Sequence, residues 1–315
     1  MSKWTDEEIM ILKNNCTVAN NDIIKLLPNK TITAITHKKS RLHIRSYCHW
    51  TPEKISLLKM VYPTYSKDQL LLIFNESWSK ITQIACRYKI KQEKTYDVSK
   101  LLSGDNISYY WMGFLIADGY FISKNNRFSM GIELADKDLQ HLTQFGKYLG
   151  DVNIYSRSRN TNSSISVYDK KIKNIMEKFD IKPNKTYNPP NLNIIQGTPD
   201  NIFSLIIGII DGDGMIRKVG NNSSQITIEW QESWINNLMF IEEFLYNHFE
   251  MKKLKQYSHI KNVGRADRNT SAILSLCRGE LNHKIKTHAT KLNIPKLERK
   301  WDKIPQIQTS ALLHP

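Results

Sequence analysis

The chain has 315 residues, enough for two or three units with real cores. Lysine and arginine number 45 against 30 acidic residues, and the resulting formal charge of +15 favours a polyanionic partner such as nucleic acid or an anionic membrane surface. No apolar run approaches the roughly 18 residues of a membrane span, and Met1 leads into Lys3, Trp4 and Asp6 rather than into an apolar leader, so a soluble, intracellular protein without a membrane partner is expected.

The four cysteines, Cys16, Cys48, Cys86 and Cys277, form no Cys-x-x-Cys pair and have no histidines at finger spacing. Buried free thiols are expected, rather than a zinc or disulfide framework.

From the N-terminus, Trp4-Thr5-Asp6-Glu7-Glu8 overlays Trp50-Thr51-Pro52-Glu53-Lys54 at an offset of 50 − 4 = 46 residues. Leu12 then falls on Leu58, Ile24 on Leu70, Ile35 on Ile81 and Arg41 on Arg87, so one small unit is duplicated over about 4–44 and 50–90. In each copy a threonine precedes an acidic turn and an apolar helical pattern, the signature of an N-cap with carboxylates at the positive helix end. Two more helices fit each copy, the last over 31–42 and 77–88. Ile32, Ile35 and Leu42 are spaced to face a core, and Thr33, Thr36, His37, Ser40 and Arg41 are left outside.

The opening Trp-Thr-x-Glu with three short helices resembles Myb/SANT-like helix-turn-helix domains. The resemblance implies that the third helix enters a major groove and that those five outward residues contact DNA. The second copy has fewer basic residues on its last helix, where Ser79, Thr82, Gln83 and Arg87 face outward. Residues 91–106 then read as a polar tether.

Residues 110–119 read Tyr-Trp-Met-Gly-Phe-Leu-Ile-Ala-Asp-Gly, and 205–214 read Leu-Ile-Ile-Gly-Ile-Ile-Asp-Gly-Asp-Gly, two apolar helices that each end in Asp-Gly. Gly113 with Ala117, and Gly208 with Gly212, lie one helical turn apart on one face, which lets two backbones approach closely. An aspartate at a helix C-terminus sits among unpaired carbonyls at the negative end of the dipole and calls for a cation. Asp118 and Asp213 brought together would make a divalent-metal site suited to phosphodiester hydrolysis.

After each helix the pattern implies strand, strand, helix, strand, strand, helix. In the first copy these run 120–124, 127–134, 136–149, 152–159, 164–168 and 170–179. In the second they run 215–219, 225–231, 234–249, 254–261, 270–277 and 280–292. Alternation puts Phe128, Met130, Ile132 and Leu134 on a core face and Arg127, Ser129 and Glu133 on the opposite one. By the same parity Lys124, Asn153, Tyr155, Arg157 and Arg159 project together, as do Arg217, Lys255, Tyr257, His259 and Lys261.

The two Asp-Gly helices resemble the LAGLIDADG motif of homing endonucleases, over about 107–300. The resemblance implies an α+β fold of two pseudo-symmetric αββαββα modules forming a DNA-binding saddle, here preceded by two small three-helix domains. Its implied divisions are 1–45, 46–92, a linker at 93–106, then modules at 107–190 and 191–315. It further implies a monomeric, metal-dependent enzyme that cuts both strands of an asymmetric duplex across the minor groove, leaving 3′ overhangs. Two or three Mg²⁺ or Mn²⁺ ions would lie between Asp118 and Asp213, with backbone carbonyls of Ala117 and Gly212 as further ligands. Lys124, Arg127, Tyr155, Arg157, Arg159, Arg217, Lys255, Tyr257 and Lys261 would face DNA.

Family members also carry a basic residue at the start of each module's last helix. Lys170 and Arg278 match that place and, with Asp118 and Asp213, would be catalytic by polarising the phosphate or assisting the water; Lys171 could substitute in register, and the arginine is a departure. A second departure is Ile116, where the motif has its first aspartate; Asp211 keeps it in the second copy. A transcriptional regulator on the same scaffold, and an RNA intron maturase, are the alternative readings.

Overall fold

The structure is a computed structural model describing residues 4–15, 20–42, 44, 50–150, 152–156, 161–220, 223–254, 258–264 and 270–305. It divides into two compact units, Met1–Lys94 and Thr95–Pro315.

The first unit holds two sets of three helices: α1 (Asp6–Asn14), α2 (Asn20–Leu26) and α3 (Ile32–Arg41), then α4 (Pro52–Val61), α5 (Lys67–Phe74) and α6 (Trp78–Arg87). α6 begins and ends 46 residues after α3, the offset read from the sequence (78 − 32 and 87 − 41). Thr5 caps α1 by accepting from the Glu8 amide at 3.2 Å, and the Glu8 carboxylate accepts from the Thr5 amide at 2.9 Å. Each set has its own core, one of Leu12, Ile23, Leu27 and Ile35, the other centred on Trp50, Leu58, Leu70, Phe74 and Ile81. Ile32 departs from expectation: at the first turn of α3 it is 44% exposed, and Ile35 carries the burial. Cys86 is exposed and Cys277 half-buried rather than both buried, while Cys16 and Cys48 lie outside the described residues.

Residues 95–102 are not the tether that their polarity suggests. Val98 and Leu101, one turn apart on a 3₁₀ turn, are fully buried in the core of the second unit, and the Tyr96 hydroxyl donates to the Tyr168 carbonyl at 3.0 Å.

The second unit is built twice. One half runs α7 (Asn106–Ala117), β1 (Gly119–Lys124), β2 (Arg127–Ala135), α8 (Leu139–Leu149), β3 (Tyr155–Ser156), β4 (Asn162–Tyr168) and α9 (Ile172–Lys178). The other runs α10 (Pro199–Asp213), β5 (Gly214–Val219), β6 (Ser223–Gln231), α11 (Ile235–His248), β7 (Ser258–Gly264), β8 (Thr270–Leu276) and α12 (Gly279–Lys291), with α13 (Glu298–Trp301) appended. Each half contributes an antiparallel four-stranded sheet, ordered β1-β2-β4-β3 and β5-β6-β8-β7.

One face of each sheet is packed against helices. Met130, Ile132, Ile165 and Val167 bury completely beside Phe145 of α8 and Ile175 of α9, each such side chain contributing about 1.5–3 kcal/mol on leaving water. Residues 152–154 and Leu254 are not strand, in contrast to expectation; β3 is described over Tyr155–Ser156 and β7 over Ser258–Gly264, and the expected strand positions 157–159 and 255–257 lie outside the described residues.

Candidate functional site

Two helix ends form the centre. α7 starts at Asp105, whose carboxylate accepts from the Ser108 amide at 2.7 Å, and α10 starts at a Thr198–Asn201 capping box. Between those starts and the terminal aspartates both helices are almost wholly buried, because they pack on each other and on the two sheets.

Glycine permits the crossing. A methyl group on Gly113 would overlap the Leu205 carbonyl, and one on Gly208 would overlap the carbonyl of Tyr110. Towards the C-termini, a Cβ on Gly212 would stand 2.5 Å from that of Ala117 and 3.6 Å from Asp118 Cγ. The small-residue spacing therefore sets the two motif ends side by side, with Asp118 capping α7 and Asp213 as the last residue of α10.

Burial and the neighbouring Asp213 carboxylate push the Asp118 carboxyl up to about 6, with Lys300 and Lys185 opposing. Asp213 Oδ2 accepts the indole N–H of Trp230 at 2.6 Å.

A lysine closes each helix end. Lys185 Nζ donates to the carbonyls of Ile116 and Ala117 at 2.6 and 2.5 Å. Lys300 Nζ donates to those of Asp211, Gly214, Gly212 and Ile210 at 2.5, 2.7, 3.1 and 3.2 Å. The Ile210 carbonyl also accepts the Gly214 amide and Gly214 already belongs to β5, but the others are last-turn carbonyls of the kind a helix leaves unpaired, and the ammonium groups supply them with both hydrogen bonds and a charge that suits the dipole. Burial lowers the pKa of both lysines, and the aspartates act against it.

Neither lysine was anticipated. Both follow a module's last helix, after Asp180-Ile181-Lys182-Pro183 and Asn293-Ile294-Pro295, where Asp180 and Asn293 take left-handed backbone at φ 50° and 51°. That shared Ile-and-Pro punctuation was the available signal.

Lys170 and Arg278 stand at the starts of α9 and α12, as expected, but they are not among the cations acting on Asp118. Lys170 is exposed, and Arg278 is engaged by Glu280 at 2.8 Å and the Lys252 carbonyl at 3.1 Å. Lys171, the substitute, pairs with Asp97 at 3.1 Å.

Asp211 is buried at 1% exposure and accepts three hydrogen bonds: Trp301 Nε1 at 2.7 Å, the Tyr110 hydroxyl at 2.8 Å and the Leu297 amide at 2.9 Å. Burial raises its carboxyl to about 6 against those donors. The carboxylate thereby pins α13 and its Lys300. Next to Lys300, Arg299 holds Asp138 of the first module through two bonds of 2.5 Å. Ile116, the counterpart of Asp211, is fully buried in the core instead.

The donor set fits small hard cations. Two carboxylates, with the Ala117 and Gly212 carbonyls beside them, offer only oxygen, and the burial and like charge that raise the Asp118 carboxyl would be offset by a bound cation. A cavity of about 410 Å³ opens beside them, lined by Ala117, Lys185, Asp213, Glu229 and Trp230 among others.

Strand register settles which sheet residues share a face. Lys124 opposes Arg127, and Glu133, on the same face of β2, opposes Ser164 and through it Tyr155. In the second sheet Arg217 opposes Gln225, and Lys261 lies across from Ile273 and Glu229 on that same face. Lys124, Arg127, Tyr155, Arg217 and Lys261 are all exposed. Ser129 is the exception to parity: only 4% exposed, it lies between the larger Ile122 and Tyr168 on neighbouring strands. Arg157, Arg159, Lys255 and Tyr257 lie outside the described residues, and the side chain of His259 is likewise not described.

In the first unit, Thr33, His37 and Arg41 follow one another at four-residue spacing on α3, beside a groove of about 750 Å³ that also takes in Trp4 and Lys38. Ser40 is exposed as well, while the Thr36 hydroxyl donates to the Ile32 carbonyl and accepts from Asn20.

No protein-family model matches the chain. The uncharacterised protein Lin2408 of Listeria innocua serovar 6a is 40% identical over 62 residues, which make up 19% of this chain and 82% of Lin2408. The chain belongs to the family of Lin2408. A second uncharacterised protein of that organism, Lin1255/Lin1742, is 37% identical over 65 residues, 21% of this chain, and the match spans only 28% of that relative's length. Neither name records an activity.

Solved structures similar to this chain include the meganuclease I-SmaMI bound to uncleavable DNA, with a TM-score of 0.41 and 13% identity, over 62% of this chain and 88% of the other. The LAGLIDADG homing endonuclease I-LtrWI bound to target DNA has a TM-score of 0.38 and 11% identity, over 61% and 86%. The LAGLIDADG meganuclease I-AabMI bound to uncleaved DNA has a TM-score of 0.38 and 14% identity, over 62% and 87%.

Proposed function

We propose that this chain is a monomeric, site-specific DNA endonuclease of the homing type that cuts both strands of a long asymmetric duplex and leaves 3′ overhangs. The observation that carries the reading is the pairing of two matched apolar helices, each ending in an aspartate, each with a lysine ammonium on its terminal carbonyls. A protein that only binds DNA gains nothing from two like charges set side by side where two buried helices end.

Asp118, Asp213 and the carbonyls of Ala117 and Gly212 would hold Mg²⁺ or Mn²⁺, in two or three positions. Bound there, the ions would neutralise charge on the phosphate and activate the attacking water. In the reaction a water oxygen bonds to phosphorus, the phosphorus–oxygen bond to the leaving strand end breaks, and a proton passes to the departing oxygen.

Lys185 and Lys300 take the role first assigned to Lys170 and Arg278. The charges of Asp118 and Asp213 act on both lysines, and leaving the helix carbonyls would free either ammonium for a scissile phosphate or its water. The exposed Lys124, Arg127, Tyr155, Arg217 and Lys261 supply phosphate and base contacts from the sheets. Thr33, His37 and Arg41 on α3 add a second DNA contact, chiefly to phosphate, that lengthens the footprint.

The test is incubation of the purified chain with a randomised duplex library in Mg²⁺ or in chelator, followed by sequencing of ends. Recovery of one long motif cut on both strands only with metal is expected. Selective binding without cutting would replace this reading with a regulator, and selective RNA binding with a maturase.

A further inference from the structure

At the opposite end of α10 from Asp213, three other helix ends converge. Asp200 lies in the first turn of α10, His248 is the last residue of α11, and His288 lies in the last turn of α12. One ligand atom from each can be chosen so that all three lie within 4.8 Å of one another. His288 Nε2 stands 2.8 Å from Asp200 Oδ1, and the two imidazole rings are 5.0 Å apart. Asp200 and Asp213 are separated by thirteen residues of helix, roughly 20 Å at 1.5 Å per residue, so this cluster is no part of the cleavage centre.

From this geometry we propose that Asp200, His248 and His288 form a site for a borderline transition-metal ion of the Zn²⁺ class, one that staples α10, α11 and α12 together.

Two imidazoles and one carboxylate are the donor set such ions take, with a fourth position left for water. Mg²⁺ prefers oxygen and has little use for the imidazoles, so the chain would sort two metals between two sites. Tetrahedral coordination at about 2.0–2.1 Å spaces ligand atoms by roughly 3.3 Å. The 2.8 Å His288–Asp200 hydrogen bond therefore needs to open only slightly as the proton between them is released.

The rings are also held in place. Phe203 stacks on His248 at 5.3 Å with a 19° tilt and meets His288 edge-on at 4.7 Å, and Phe244, on α11 itself, also stacks on His248 at 5.3 Å. Asp200 is fixed by the Thr198–Pro199 start of its helix, and its backbone carbonyl accepts from the Ser204 hydroxyl at 2.7 Å. The Asp200 side chain is 45% and that of His288 21% exposed, which gives an ion a path from solvent. Among the described residues no other group of three such side chains meets this spacing.

The experiment is Co²⁺ titration of the chelator-stripped full chain in saturating Mg²⁺, read as visible ligand-field absorption, with Zn²⁺ displacement and melting temperature measured in parallel. One equivalent should bind, Zn²⁺ should bleach the band, and melting should rise. Asp200→Asn and His248→Gln should each weaken binding by more than the roughly 10–100-fold that losing an outer partner costs. Asp118→Asn with Asp213→Asn should leave the band unchanged. Absence of the band, or its persistence at full strength in Asp200→Asn and His248→Gln, would overturn the proposal. Asp200 is partly exposed, so its variant remains informative even if changes at the packed histidines compromise folding.

Discussion

Trp230 donates its indole N–H to Asp213 at 2.6 Å, and the first module has no equivalent. Gly214 pairs with Ile228 and Gly119 with Ile132, so two residues further along the strands Trp230 corresponds to Leu134. One motif aspartate is thus oriented by a neutral donor and, among the described residues, the other is not. A hydrogen bond to a charged group contributes about 1.5–3 kcal/mol, roughly tenfold or more in rate if it is made fully in the transition state. Trp230→Phe should slow the cut of one strand by about that factor and leave nicked plasmid as a visible intermediate; equal slowing of both strands would show that the bond does not divide the two half-reactions.

The two lysines should separate catalysis from stability. Lys185→Met and Lys300→Met should each slow one strand's cleavage by roughly 100-fold, the usual cost of losing a charge aimed at a reacting group. Lys300 also shares its three N–H donors among four carbonyls against two for Lys185, so only its variant should lower the melting temperature clearly. Full double-strand activity in either variant would argue against the assigned role.

Asp118 opposes folding when no metal is bound. Its pKa is raised from 3.8 to about 6, so the folded state holds the proton more tightly than the unfolded state does. Stability attributable to this group is therefore present at low pH and lost as pH rises through that window. In chelator at neutral pH, Asp118→Asn should stabilise the chain by about 1–2 kcal/mol, after allowance for partial solvent access. The variant should also flatten the fall in melting temperature over the same window, though not abolish it, because Asp211 is raised to about 6 as well. A destabilised variant would contradict the electrostatic reading of the site.

On α3, His37→Ala with Arg41→Ala should weaken DNA binding and reduce the slope of log affinity against log salt by about 1, the loss of one phosphate contact. Cleavage at saturating protein should change little. An unchanged salt slope would remove this helix from the interface.

The sequence announced what repeats and what alternates. The 46-residue offset located α3 and α6, the glycine spacing of α7 and α10 foretold their close crossing, and strand parity grouped Lys124 with Tyr155 and Arg217 with Lys261. It did not expose Lys185 or Lys300, whose meaning lies in a chain return that brings them back to helix ends 68 and 88 residues earlier, at Ala117 and Gly212. Val98 and Leu101 were hidden for a related reason: two apolar residues in a polar stretch give no periodicity, yet one 3₁₀ turn buries both.

Asp118→Asn with Asp213→Asn, assayed on the recovered target in Mg²⁺, tests the central claim most directly. The account predicts binding within about tenfold of the unaltered chain and no cut on either strand, since the amides keep the shape of the helix ends but cannot hold the ions. Cleavage that persists in that double variant would place the chemistry elsewhere in the molecule and contradict the account.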